Sequence, residues 1–369
     1  MLIYLGCCTV LAFGLALVLM QAGAAPAAVA HAAFALGAMP LIFAAMGHFV
    51  PVLTRSSGAG KAVHRLPLAM QLAGAMVVGV LAGALPGWTL HAAAVVGLVA
   101  TGLFLAWQWQ RGNKALGQPH PGLAWYKAAL GCLILALLAI FVGLLWPAAY
   151  APLRLAHLHL NTLGFIGLTA IGTLHVLMPT VLGQPDAQVA QRLRRQLPWA
   201  LGGVAATAAA GVLPWLTPLG ALLMGGVVLH TLVGWLKTHG WRRILGDGAA
   251  VPLFGAGVGL LAVIAAGMAH GFGLMPGRLA VSAFFALFLL PLVTGALSQL
   301  LPVWRFPGPM SPLREQMRAR LVRLGQLRTA LFLGGGGLLA MGVGAGAVLL
   351  AAGVLLFAVA LASGLVLRR

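Results

Sequence analysis

Acidic residues are almost missing from this chain. Of 369 residues only Asp186, Asp247 and Glu315 carry a carboxylate, and all three fall between the long apolar runs. Proton- and sodium-coupled transporters and redox pumps commonly use carboxylates buried in the bilayer. None is placed there, so ion-coupled secondary transport loses ground. Carboxylate general acid/base catalysis, an intramembrane calcium or magnesium centre and an Asp-containing triad all lack their parts. Cysteine is equally scarce, with Cys7, Cys8 and Cys132 as the full set. There is no CxxC and no CxxCH, hence no covalent c-type heme signature. All three are expected near cytoplasmic helix ends, where a structural disulfide does not persist. Adjacent Cys7 and Cys8 would point about 100° apart on a helix and are read as packing residues. The run Gly334 to Gly337 lacks the Lys-Ser/Thr of a phosphate loop and is read as a surface for close helix packing.

What remains is overwhelmingly apolar. The chain is 62% hydrophobic and 7% charged, a balance that a water-soluble domain of this size does not carry. A bilayer core of roughly 30 Å takes about 20 apolar residues per helical crossing. Short polar breaks divide the chain into twelve such segments: 3–23, 29–52, 67–86, 88–109, 128–148, 156–181, 198–216, 219–237, 250–272, 279–302, 327–346 and 347–367. The first has no basic n-region and no small-residue cleavage site, and is read as a retained helix. The expectation is one all-α membrane domain over 1–369, a multi-pass protein with both termini cytoplasmic, in a cell membrane such as a bacterial inner membrane.

Charge placement supports that parse, because Lys and Arg are favoured in cytoplasmic connections. Arg55, Lys61 and Arg65 follow segment 2, and Arg111, Lys114 and Lys127 follow segment 4. Arg192, Arg194 and Arg195 follow segment 6, Lys237, Arg242 and Arg243 follow segment 8, and six arginines from Arg305 to Arg328 follow segment 10. The chain ends on Arg368-Arg369. Only Arg154 and Arg278 fall on the opposite side. The formal charge of +19 is therefore a topology signal that needs no nucleic acid, and it makes membrane lipids, anionic ones in particular, the expected partners.

An internal repeat follows from three segments. HAAFALGAMPLIFAAMGHFVPVL from His31, HLNTLGFIGLTAIGTLHVLMPTVL from His159 and SAFFALFLLPLVTGALSQLLPVW from Ser282 align without gaps. Pro51, Pro179 and Pro302 then coincide, as do Pro40 and Pro291. His31 matches His159, with Ser282 in the third copy. The period equals four helices, giving repeats of about 1–110, 127–238 and 250–369.

Twelve helices in three groups of four, with histidines on segments 2 and 6, resemble the catalytic subunit of heme-copper oxygen and nitric oxide reductases and the related NnrS family. The run Ala156-His157-Leu158-His159-Leu160-Asn161-Thr162-Leu163-Gly164 carries most of the likeness. The resemblance implies a pseudo-threefold, oxidase-subunit-I-like fold that binds heme and, in the full oxidases, copper. It also implies a respiratory-chain or redox partner protein. The departures are specific. Segment 10 has Ser282 and Gln299 where an oxidase has heme-ligating histidines, and segment 7 has no histidine pair for copper. Counted from His157, Asn161 stands where many oxidases have a tyrosine. A complete binuclear centre is therefore not expected.

The histidines sort into layers by chain direction. His31, His91, His157, His159 and His270 fall near the outer face, and His48 and His175 near the inner ends of segments 2 and 6. His31 and His48 are roughly 25 Å apart along one helix and cannot share a metal. Imidazole suits heme iron and copper. His157 and His159 would point about 200° apart and serve different partners. His159, the repeat mate of His31, is the inward-facing candidate. Asn161 could orient a ligand or bond a propionate, and Arg154 and Arg278 offer guanidinium forks for propionates. The cofactor-binding set is thus His31, His159, Arg154, Arg278 and Asn161. The metal-ligand set is His31, His157, His159, His270, His48 and His175, with Met268 and Met275 as soft neighbours for copper(I). The plainer reading makes each histidine a helix-end or interhelical hydrogen-bonding group, and it is the reading assigned to His91. His64, His120 and His239 are read as solvated.

Three functions follow. The first is a non-pumping heme- or heme-and-copper-binding protein acting in nitric oxide response, redox sensing or respiratory-enzyme maturation. The second is a copper transporter or handling protein using His and Met. The third is a divergent oxygen or nitric oxide reductase.

Overall fold

A computed structural model describes residues 1–367. The terminal Arg368-Arg369 pair of the charge pattern lies outside them. Among the described residues there is no strand. The long helices are α1 (Leu2–Gln21), α2 (Pro26–Leu53), α3 (Lys61–Leu81), α4 (Thr89–Asn113), α5 (Gly122–Leu145), α6 (Pro147–Val181), α7 (Val189–Ala209), α8 (Leu216–His239), α9 (Ala250–Gly271), α10 (Gly277–Arg305), α11 (Gly325–Ala340) and α12 (Gly346–Leu365). Short helices Trp241–Gly246 and Pro312–Val322 lie in the basic connections before α9 and before α11. In lipid the backbone has no water to bond, so helices that satisfy their own N–H and C=O groups are the form open to such a sequence.

Ten of the twelve are long and apolar enough to cross a bilayer. The two that fall short are α7 and α11. Arg192, Arg194 and Arg195 occupy the first two turns of α7, and α11 has 16 residues, a rise of about 24 Å. Expected segments 198–216 and 327–346 are thus helical but begin earlier and end sooner. The chain is an all-helical multi-pass membrane protein by this measure, with ten candidate spans among the described residues.

Helices α2, α6 and α10 share a succession that hydropathy does not reveal. In each an α-helical stretch, preceded in α6 by the 3-10 turn Pro147–Ala149, widens into a π-helical run, at Ala32–Ala38, Leu160–Gly167 and Phe284–Leu289 respectively. Each then returns to α-helix with a proline near its end, Pro51, Pro179 or Pro302. In the register set by those prolines the three wide runs coincide to within one residue at either end. π-Helical runs are rare and occur often at functional sites, so three in one register are a property of the repeat.

Proline accounts for part of this. Pro40 and Pro291 have no N–H to give to the carbonyls four and five residues back. Two such carbonyls meet glycine on a neighbouring helix instead. Gly74 of α3 approaches the Ala35 carbonyl, and Gly259 of α9 approaches the Leu287 carbonyl, so closely that a Cβ on either glycine would overlap the oxygen. Gly336 of α11 lies against Ala286, where a Cβ would sit 3.0 Å from the Ala286 methyl.

The chain forms two compact units, and neither follows the repeat boundaries. Unit 1 comprises Met1–Ala33, Val176–Asp186 and Val228–Arg369, and unit 2 comprises Phe34–His175 and Ala187–Val227. In unit 1, Phe13 of α1 meets Phe285 edge-on with centroids 5.5 Å apart. In unit 2, Phe43 of α2 stacks on Phe104 of α4 at 4.9 Å and lies 5.9 Å from Phe165 in the wide run of α6. The Trp125 indole N–H of α5 donates to the Leu193 carbonyl of α7 at 3.0 Å. These aromatics are buried and fill each unit beside a wide run.

Candidate functional site

One end of unit 2 centres on α5, where α5 ends and α4 and α6 begin. His157, on the α-helical stretch of α6 before its wide run, donates Nδ1–H to the Ala136 carbonyl of α5 at 2.9 Å. A carbonyl only accepts, so His157 donates through Nδ1, while its Nε2 lies 3.5 Å from the Asn161 amide nitrogen. One turn on, Asn161 lies inside the wide run and is 9% exposed. Its Nδ2 donates to the His157 carbonyl at 2.8 Å, while its Oδ1 is buried with no hydrogen-bond partner among the described residues.

A second such atom lies nearby on α4. His91 packs edge-on against Phe141 of α5, centroids 5.5 Å apart, and its Nε2 is buried with no hydrogen-bond partner among the described residues. Both orphan atoms therefore belong to residues packed beside the C-terminal half of α5. Unsatisfied buried polar atoms are uncommon and call for a partner, whether ligand, ion or water. His91 was assigned the plain helix-end role from sequence, and nothing in its local motif signals otherwise. His159 and Arg154 complete the set in this unit, with His159 half-buried at the entry to the wide run and Arg154 exposed.

Unit 1 holds His31, His270 and Arg278. The first turns of α2, which end on His31, pack on the first turns of α10, which hold Arg278 and Ser282. His31 donates Nδ1–H to the Ala27 carbonyl of its own helix at 2.7 Å. His270, at the end of α9, donates Nδ1–H to the Met275 carbonyl at 3.0 Å, and its ring lies against Gly277. His31, His270 and Arg278 are thus carried by adjoining elements. Arg278 and His270 are exposed, and Ser282 bonds the Arg278 carbonyl at 3.1 Å.

His48 and His175, expected at the inner ends of their helices, lead elsewhere. His48 is exposed and touches its neighbour Phe49. His175 is 1% exposed, donates to the Ile171 carbonyl at 2.8 Å and faces the Trp125 ring at 6.3 Å, which is the packing of a core histidine. Among the described residues no three His, Cys, Asp or Glu side chains converge as a metal-binding group.

Two residues read as solvated are built in. His239 is 8% exposed and bonds Gln184 at 3.0 Å. His120 accepts the Gly122 N–H on Nδ1 at 3.1 Å, and its own backbone N–H bonds the Leu53 carbonyl at 2.9 Å. Asp247 proves structural. It accepts the Ala249 and Ala250 N–H groups at the start of α9 and pairs with Arg318 at 3.0 Å.

His120 has a pH signature. Burial, and then the nearby Arg194 guanidinium, hold its pKa below the ordinary histidine value of 6.5. The folded protein therefore takes up this proton less readily than the unfolded chain, and stability falls as pH drops through about 6.5. Protonation at Nδ1 also ends the bond from Gly122. We expect His120→Asn, which can accept the same N–H without titrating, to shrink the loss of thermal stability between neutral and mildly acidic pH. A parallel loss in wild type and variant would show that other groups set it.

Comparison of the chain with family models, with curated proteins and with solved structures finds no match. The functional reading rests on the residues themselves.

Proposed function

We propose that the protein is a non-pumping, heme-binding membrane protein of the oxidase-like type, with twelve helices in a pseudo-threefold arrangement and both termini cytoplasmic. The observation that carries this reading is the wide run placed directly after His31 and His159, and two residues after Ser282, in three helices of one register. A histidine bordering such a run presents its ring where the helix has lost its regular packing. That repeated geometry favours one kind of ligand over isolated structural histidines.

The donor chemistry fits a ring-coordinated iron better than a mononuclear copper centre. Heme iron takes one or two protein ligands, whereas a copper centre is built from about three, such as two His and a Cys. His159 in unit 2 and His31 in unit 1 would hold the iron, each within its own unit. His157 and Asn161 position the entry to the wide run of α6, and the Asn161 Oδ1 awaits a donor. Arg154 and Arg278 supply guanidinium groups for propionate carboxylates. When bound, such a group supplies one-electron or gas-ligand chemistry. With no carboxylate in any candidate span, the chain offers no carboxylate relay for pumping. Nitric oxide response, redox sensing or respiratory-enzyme maturation are the roles this leaves.

Purification in mild detergent tests the reading. Wild-type protein, as isolated or after hemin titration, should show a Soret band. His31→Ala and His159→Ala together should abolish it while helical content is kept. A colourless protein that ignores hemin and retains copper would replace this reading with copper handling. Oxygen or nitric oxide turnover by coloured protein would make it a divergent reductase.

A further inference from the structure

Unit 2 has a second feature, at the opposite ends of the same helices. The three acidic residues of the chain all lie in segments of unit 1, so unit 2 holds no carboxylate side chain. Its basic residues nonetheless converge where α2, α4 and α5 end or begin. Arg111, in the last turn of α4, donates to Ser57 Oγ at 3.3 Å and to the Gly58 carbonyl at 3.2 Å, clamping the α2–α3 connection. Arg55 reaches over the α4–α5 connection, its Nη1 about one van der Waals contact, 4.0 Å, from a Cβ built on Gly117. Lys127 of α5 sits 4.4 Å above the Trp109 ring, and its Nζ lies 3.2 Å from a Cβ built on Gly112. Lys114 caps the C-terminal end of α4 and is exposed, and Trp109 and Leu116 are 57% and 76% exposed. Like charges gathered in a unit that holds no carboxylate of its own repel, and exposed Trp beside Lys and Arg at helix ends is the composition of a membrane interface.

Arg55 supplies an independent observation. It is the one non-glycine residue with positive φ, at +51°, among the described residues. It follows α2 at the position where, in the same register, Gly183 with φ +62° follows α6. Both turns close with the same bond, Ser56 N–H to the Pro51 carbonyl at 2.9 Å and Gln184 N–H to the Pro179 carbonyl at 3.0 Å. Glycine is the residue this left-handed cap favours. An arginine held there sacrifices stability, as strained residues at functional positions do.

We infer that this end of unit 2 binds the phosphate of an anionic phospholipid between Arg55, Arg111, Lys114 and Lys127, with Trp109 and Leu116 against the glycerol and upper acyl region. The guanidinium forks of Arg55 and Arg111 match phosphate oxygens in pairs. Lys114 and Lys127 add point charges. The inference is independent of heme binding, since none of these residues belongs to the outer site.

Equilibrium binding of a fluorescent short-chain phosphatidylglycerol to the full chain in neutral detergent tests it. Arg55→Gly and Arg111→Gln should each weaken binding roughly five-fold, the worth of one cation near a headgroup. Arg55→Gly should at the same time raise the melting temperature measured without lipid, because the cap is relieved. Arg323→Gln, in unit 1, should leave the affinity unchanged, and the phosphatidylcholine analogue should bind weakly to every form. Three results would each overturn the site: unchanged affinity in Arg55→Gly, an equal loss in Arg323→Gln, or displacement of the lipid by equimolar inorganic phosphate.

Discussion

Gly259→Ala should lower the free energy of unfolding by about 3 kcal/mol, the upper range of overpacking effects. The added methyl would overlap the Leu287 carbonyl oxygen of α10. A flexible side chain could turn away, but a backbone carbonyl inside a helix cannot, so α9 and α10 must separate. That separation opens contacts among residues of α9 and α10 that are fully buried, such as Leu253 and Leu289. It also disturbs the carbonyl that Pro291 leaves without its usual donor. Gly267→Ala on the same helix is the matched control. A Cβ there meets nothing within 4 Å, and the substitution should be neutral or raise stability by up to about 1 kcal/mol through helix propensity. Reversible unfolding of both variants in mixed micelles checks the pair. Equal effects would mean that the close approach at Gly259 is not what binds the two helices.

Arg328→Ala should cost about 3 kcal/mol, for a different reason. Arg328 of α11 is 1% exposed and pairs with no carboxylate among the described residues. Its Nη1 donates to the Leu321 carbonyl and its Nη2 to Ser298 Oγ, both at 3.3 Å, and its guanidinium lies 4.8 Å from the Phe357 ring centroid of α12. Leu321 lies in the last turn of the short basic helix Pro312–Val322, whose terminal carbonyls carry partial negative charge and favour a cation. Arg328 therefore joins that helix to α10 and α12 at one point. Removing it leaves a cavity, two lost hydrogen bonds and a lost cation–π contact, terms of roughly 1 to 3 kcal/mol each that overlap in one site; the Leu321 carbonyl keeps the Ser298 hydroxyl at 3.3 Å. Arg328→Met refills the volume without the donors. Full recovery in Arg328→Met would assign the loss to packing, whereas a loss close to that of Arg328→Ala would assign it to the hydrogen bonds.

Much of the architecture is legible in particular residues. Pro51, Pro179 and Pro302 set a register, and that same register later aligns three π-helical runs whose existence no hydropathy window shows. Helical widening depends on which carbonyls lose a donor and what approaches them, and the approaching residues, Gly74 and Gly259, lie far from the runs in sequence. The candidate site was partly legible. His157 and Asn161 stand one turn apart and do meet, as their spacing requires. His91 was passed over because its significance is the lack of a partner for a buried nitrogen, and that lack is a fact about Phe141 and the packing of α4 on α5. His175, by contrast, fell in the ligand set, yet the structure packs it beside Trp125. His120 and His239 sit in basic connections that read as solvated, but loop residues become buried when distant helix ends meet.

The sequence by itself determines that this chain is solvated by lipid, that its backbone must be helical, and that it lacks the intramembrane carboxylates of pumps and ion-coupled transporters. Those properties are additive over residues: transfer free energy, charge and donor count need no knowledge of neighbours. Only the tertiary structure decides which polar atoms are left without partners, which glycines meet a carbonyl, and that Arg55 occupies a cap its repeat mate fills with glycine. Those properties belong to pairs of residues far apart in the chain, and packing alone brings such pairs together.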